Sequence, residues 1–212
     1  MAGWKIALMA AILCVSIHSY STAIANELAH ISAIAYESQA NIDGWKCSEC
    51  SKFTVKSQKS FFSSVANIQG YGFYDVKNNA VTISFRGSAD IKNWIYNLNT
   101  VIVNYPGCSG CQVHQGFYSA YTGVAPLVRT MVSSLLSLYR GAKLVITGHS
   151  LGGAMAVLCS LDMKEIHGKV DYVYTYGQPR VGNQNFANFY QTQIANAFRV
   201  INYADMVPHV PP

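Results

Sequence analysis

The sequence predicts a single domain of the α/β class, built on a mixed, largely parallel central sheet flanked by helices. Three observations carry that prediction. The later half of the chain alternates short apolar or β-branched runs with longer stretches of helical periodicity, the mark of strand–helix–strand crossovers in a parallel sheet. Earlier, two strand-like runs flank the turn-forming Lys77-Asn78-Asn79, which adds an antiparallel hairpin. The length of 212 residues, half of them hydrophobic, is enough to bury one substantial core, and no shift of composition marks a second.

A basic start with Lys5, an apolar run over residues 6–17 and the small-x-small signal Ala23-Ile24-Ala25 give residues 1–25 the character of a secretory signal peptide. The run is shorter than the roughly 20 residues a membrane span needs, so cleavage before Asn26 is expected in place of an anchor. The domain proper is then expected over 26–212, secreted or held in a secretory or lysosome-like compartment. Asn26 is positioned to cap a helix with Leu28, Ile31, Ile34 and Ala35 on one face. Residues 61–75 alternate weakly and carry aromatics, and with the β-branched run 80–85 they form the hairpin. A long helical pattern follows at 117–139, interrupted or kinked at Gly123 and Pro126. Beyond it the order is strand 143–147, helix 150–166, strand 172–176, helix 185–194 and strand 198–203.

Charge is sparse: 15 Lys+Arg against 10 Asp+Glu, a net +5 without any basic run able to track a phosphate backbone, which argues against a nucleic-acid partner. Of six cysteines, Cys14 falls in the leader and Cys159 in an apolar helical stretch, where it reads as a small buried hydrophobe. Cys47/Cys50 and Cys108/Cys111 remain as two C-x-x-C pairs. Such pairs can hold zinc, but 57 residues lie between Cys50 and Cys108, beyond ribbon spacing. An oxidising compartment favours two short local disulfides.

Gly148-His149-Ser150-Leu151-Gly152 fits G-x-S-x-G and lies between the apolar run Leu144-Val145-Ile146 and a small-residue helix. That context is a nucleophile elbow, the strand-to-helix turn of the α/β-hydrolase fold. The turn projects a serine hydroxyl, and glycines two residues to either side let strands and helix approach without Cβ clashes. A serine needs a base to take its proton and a third group to orient that base; in this fold the chain order is Ser, Asp or Glu, then His. Asp205, directly after the last strand, fits the second place, although an Asp there can equally be a plain turn former. The only later histidine is His209, four residues on and set between Pro208 and Pro211.

From about residue 26 onward the sequence resembles the class 3 lipases, the family of filamentous-fungal triacylglycerol lipases. Six collinear blocks carry the resemblance: Phe85-Arg86-Gly87-Ser88, Ile91-Lys92-Asn93-Trp94-Ile95, Val113-His114-Gln115-Gly116-Phe117, Thr147 through Ala154, Gly177-Gln178-Pro179-Arg180-Val181-Gly182, and Asp205 through Pro212. The resemblance implies Ser150 as nucleophile, Asp205 as the acid orienting the base, and an oxyanion hole from Ser88 and the backbone N–H of Leu151. It also implies a base several tens of residues past the Pro-Pro, so the chain is expected to be C-terminally truncated. His209, His30 and His114 match non-catalytic family positions, His149 is expected to be locked beneath the elbow, His167 lies in a polar loop, and His18 belongs to the leader.

Asp90 can cap a short helix that places Ile91, Trp94, Ile95 and Leu98 on one stripe. A stripe of this kind ordinarily packs on a core; its position beside Ser88 and the family's use of the segment imply a lid that opens at an oil–water interface. The expected activity is hydrolysis of long-chain acylglycerol esters through an acyl-enzyme, without metal or organic cofactor and without a stable membrane span. An esterase or phospholipase, or a non-catalytic lipid-binding homologue, are the alternatives.

Overall fold

The computed structural model describes residues 19–91, 93 and 100–211. Helix α1 (Thr22–Ile34) comes first, capped by Ser21, whose hydroxyl accepts the N–H of Ile24. The expected cap, Asn26, therefore lies inside the helix, and α1 runs across the boundary anticipated between Ala25 and Asn26. The reason is packing. Ala25 is buried with Leu28, Ile31 and Ile34, the Tyr176 hydroxyl donates to the Ala25 carbonyl, and Tyr20 packs its ring on Tyr174 and Phe198.

After α2 (Gln39–Gly44), a short 3₁₀ turn at Glu49–Lys52 leads into three antiparallel strands, β1 (Val55–Ser63), β2 (Ile68–Asp75) and β3 (Ala80–Phe85). The expected hairpin is thus a three-stranded meander. A turn at 64–67, with Asn67 at φ 50°, splits the run read as continuous over 61–75. A separate ribbon, β4 (Ile102–Asn104) with β5 (Gln112–His114), precedes α3 (Gln115–Leu138). Helix α3 passes through Gly123 and Pro126 unbroken, its buried stripe of Phe117, Tyr121, Val124, Val128 and Val132 holding it on the sheet. Then come β6 (Lys143–His149), α4 (Leu151–His167), β7 (Tyr172–Tyr176), α5 (Gln184–Gln193), β8 (Ala197–Val200) and a 3₁₀ turn at Val207–His209.

The main sheet runs β1-β2-β3-β6-β7-β8, antiparallel as far as β3 and parallel from β3 to β8. Side-chain alternation divides the core between its faces. Leu144, Ile146 and Val173 join α3, α4 and α5 on one side; Val145, Tyr172 and Tyr174 join α1 and α2 on the other. Both faces being covered, β6 reads as a continuous apolar run. Each C-x-x-C pair closes as a disulfide, with Cα atoms 5.0 Å apart for Cys47–Cys50 and 5.5 Å for Cys108–Cys111, while Cys159 is free and buried. Among the described residues no helix is long and apolar enough to cross a membrane.

Candidate active site

The carboxyl ends of β3, β6 and β7 meet at Ser150. In register, Phe85 stands beside Gly148 and His149 beside Tyr176, and the Ser150 N–H donates to the Tyr176 carbonyl at 2.8 Å. Ser150 sits at φ 56° and ψ −126°, a region that side-chain-bearing residues avoid at a cost of roughly 1–3 kcal/mol. The glycines of the motif make this possible. A Cβ on Gly148 would meet the Gly152 carbonyl, and one on Gly152 the Phe85 carbonyl, both at impossible range. Ser150 is fully buried, and its Oγ has no hydrogen-bond partner among the described residues.

Leu151 opens α4, so its N–H is one of the first-turn donors that have no acceptor within the helix. Facing the elbow is the loop after β3. A Cβ on Gly87 would lie 2.6 Å from the His149 carbonyl oxygen and 3.1 Å from Ser150 Cβ, so the loop passes in backbone contact with the elbow. Ser88 follows, half-buried, its hydroxyl donating to the Asp90 carbonyl at 3.3 Å. Asp90 accepts the N–H of Asn93 at 3.1 Å, the bond of a helix cap. Of the expected lid, Ile91 lines the cleft, while Trp94, Ile95 and Leu98 lie outside the described residues.

Asp205 lies past β8, held by its own backbone bond to Asn202 and by an Oδ1 that accepts the Val207 N–H at 2.9 Å. Its Oδ2 stands 2.6 Å from where a Cβ on Gly177 would be, and Gly177 itself has φ 53°. His209 is exposed on the neighbouring 3₁₀ turn. Because Ser150 Oγ is unpartnered, neither His209 nor any other described histidine bonds to it. His114 caps α3 through the Phe117 N–H, and His30 pairs with Glu49.

His149 is not beneath the elbow. It is half-buried in the cleft wall and, with Tyr176, is shared by two adjoining cavities. One, about 470 Å³, is lined by Ala29, Ala33, Tyr36, Ser88 and Ile91 among others; the second, about 460 Å³, contains Gly177, Asn202 and Asp205. Burial holds the His149 imidazole below its ordinary pKa, opposed in part by the Asp205 carboxylate. Its Nδ1 is 2.7 Å from the hydroxyl of Tyr36, a residue that no sequence motif singles out because it arrives from the far end of α1.

The family model described as Lipase (class 3) matches residues 82–212. A lipase of Rhizomucor miehei is 35% identical over 88% of this chain and 54% of its own length. A secreted mono- and diacylglycerol lipase of Fusarium solani is 39% identical over 71% of this chain and 46% of its own. The chain spans about half the length of these curated relatives. A solved triacylglycerol lipase, described as having a serine protease triad for its catalytic centre, superposes with a TM-score of 0.82 at 34% identity, covering 90% of this chain and 74% of that one.

Proposed function

Because the chain belongs to the class 3 lipase family, we propose that it carries the nucleophile and the acid of a secreted lipase that cleaves long-chain acylglycerol esters. The single observation supporting this most is Ser150: a buried, unpartnered hydroxyl on a strained turn at the edge where the parallel strands end. An unpaired buried hydroxyl costs roughly 1–3 kcal/mol, a penalty tolerated where the group has work to do.

In the proposed reaction Ser150 Oγ attacks the ester carbonyl while a histidine outside the described residues takes its proton. Asp205 orients that histidine. The carbonyl oxygen becomes an oxyanion held by the Leu151 N–H and by Ser88, donors aimed at charge that exists only in the transition state. Collapse expels the alcohol, protonated by the same histidine, and leaves an acyl-serine; water activated by the histidine then releases the fatty acid. The segment beginning at Ile91 acts as the lid, with Trp94 and Ile95 meeting the lipid surface. No metal or organic cofactor takes part.

Ser150→Ala in the protein extended past residue 212 tests the reading. Ester hydrolysis should fall by a factor on the order of 10⁴ or more. Activity surviving that change would remove Ser150 from the chemistry. Acyl-chain profiles on dispersed triglycerides, phospholipids and dissolved esters separate a lipase from a phospholipase or an esterase, and an extended protein that binds lipid without hydrolysing any of them would be a non-catalytic homologue.

A further inference from the structure

Tyr36 stands where three parts of the cleft meet. Its hydroxyl oxygen is packed against the Gly87 backbone, where a Cβ on Gly87 would collide with it. The same hydroxyl lies 2.7 Å from His149 Nδ1. Phenol and imidazole thus share one hydrogen bond through Nδ1, and the opposite ring nitrogen, Nε2, lies on the side of Gly177.

We propose that Tyr36 and His149 form a positioning pair that holds the Gly87-Ser88 loop in register with the Ser150 elbow. The proposal rests on the hydrolase reading above. One phenol joins the residue before Ser88 to the residue before Ser150, so it fixes the two proposed oxyanion donors, Ser88 and Leu151, relative to each other. Oxyanion donors work only at fixed position, and a misplacement of about 1 Å can lower a rate about a hundredfold. Gly87 has no side chain with which to reach the elbow, and Ser88 bonds forward to Asp90.

The test uses the protein extended through the downstream histidine and a dissolved short-chain ester. Tyr36→Phe keeps the ring and removes the bridge; kcat should fall at least about tenfold with KM changed less than about twofold, because the donors act in the transition state. His149→Asn, whose side-chain amide can still hydrogen-bond Tyr36, should lose less than His149→Ala. Imidazole NMR reads the pair directly: with the Tyr36 hydroxyl gone from Nδ1, the His149 titration should move in Tyr36→Phe, Asp205 remaining as its charged neighbour. Unchanged kcat in Tyr36→Phe beside an inactive Ser150→Ala overturns the pair and leaves the hydrolase reading standing. Hydrolysis persisting in Ser150→Ala defeats the hydrolase reading, and an unmoved His149 titration then also defeats the pair.

Discussion

At Ser150 two unfavourable features coincide, a left-handed backbone and a buried hydroxyl without a partner. Both lower stability, and neither helps folding. Removing the hydroxyl should therefore do the opposite of what removing a well-bonded buried serine does. Ser150→Ala in residues 19–212 should keep or raise the melting temperature, by up to a few degrees if the unpaired hydroxyl costs about 1 kcal/mol. Scanning calorimetry decides it, and a clear fall would mean that the hydroxyl is bonded in solution. Gly87 makes the complementary case. Gly87→Ala places a methyl against the His149 carbonyl and the Tyr36 hydroxyl, so the loop must move; ester hydrolysis by the extended protein should drop by tenfold or more. Normal turnover in that variant would show that the loop position is not critical.

Helix α1 shows how an element boundary depends on what packs around it. Ser21, Tyr20 and Ala25 all precede the anticipated cleavage point, yet they cap α1, meet Tyr174 and Phe198, and join the core. A mature protein beginning at Asn26 would lose the cap and the first turn, about 1 kcal/mol for the cap alone. N-terminal sequencing of secreted material should find a start at or before Ser21, and a start at Asn26 would show that these contacts are dispensable. Between α3 and α4, Asp162 accepts a forked bond from Arg129 and another from the Tyr121 hydroxyl. Asp162→Asn should cost roughly 1.5–3 kcal/mol, lowering the melting temperature by about 3–12 °C. The lid segment predicts a split. In the extended protein, Trp94→Ala should slow hydrolysis of emulsified triglyceride several-fold and leave a dissolved ester almost unaffected, since the proposed lid would bring the ring to lipid only when open. Equal losses on both, with lower thermal stability, would make the segment an ordinary packed helix.

Across the whole molecule, the proposed acid Asp205 and the proposed nucleophile Ser150 belong to different crossover units and are brought to one sheet edge by the parallel order β3-β6-β7-β8. Two adjoining cavities lie at that edge, one containing Ser88 and the other Asp205, with His149 and Tyr176 common to both. With the base past residue 212, as proposed, residues 19–212 produced alone should hydrolyse a dissolved ester slower than the extended protein by a factor on the order of 10⁴ or more. Comparable turnover from the two would make a described histidine the base, with His149 and His209 the ones to replace.

Sequence alone determined what is local. Periodicity and turn residues placed the later crossovers within a few residues, because a helix or strand buried on one or both faces writes that burial into its own pattern. The elbow was legible for the same reason: strand, glycines, serine and helix are contiguous, and the strain at Ser150 is imposed by neighbours two residues away. The meander at β1–β3 was only partly legible, since a weak alternation does not say where a turn such as 64–67 interrupts it. The ribbon β4–β5 was too short to register. Tertiary structure alone decided which distant residues meet. Tyr36 and His149 are 113 residues apart, and nothing in either's surroundings announces the other. His149 lines the cleft because alternation along β6 puts it on the same face as Val145 and Thr147, the side covered by α1. Hydrogen bonds between remote segments depend on the folded geometry, and that geometry is fixed by the packing of α1 on one face of the sheet and α3, α4 and α5 on the other.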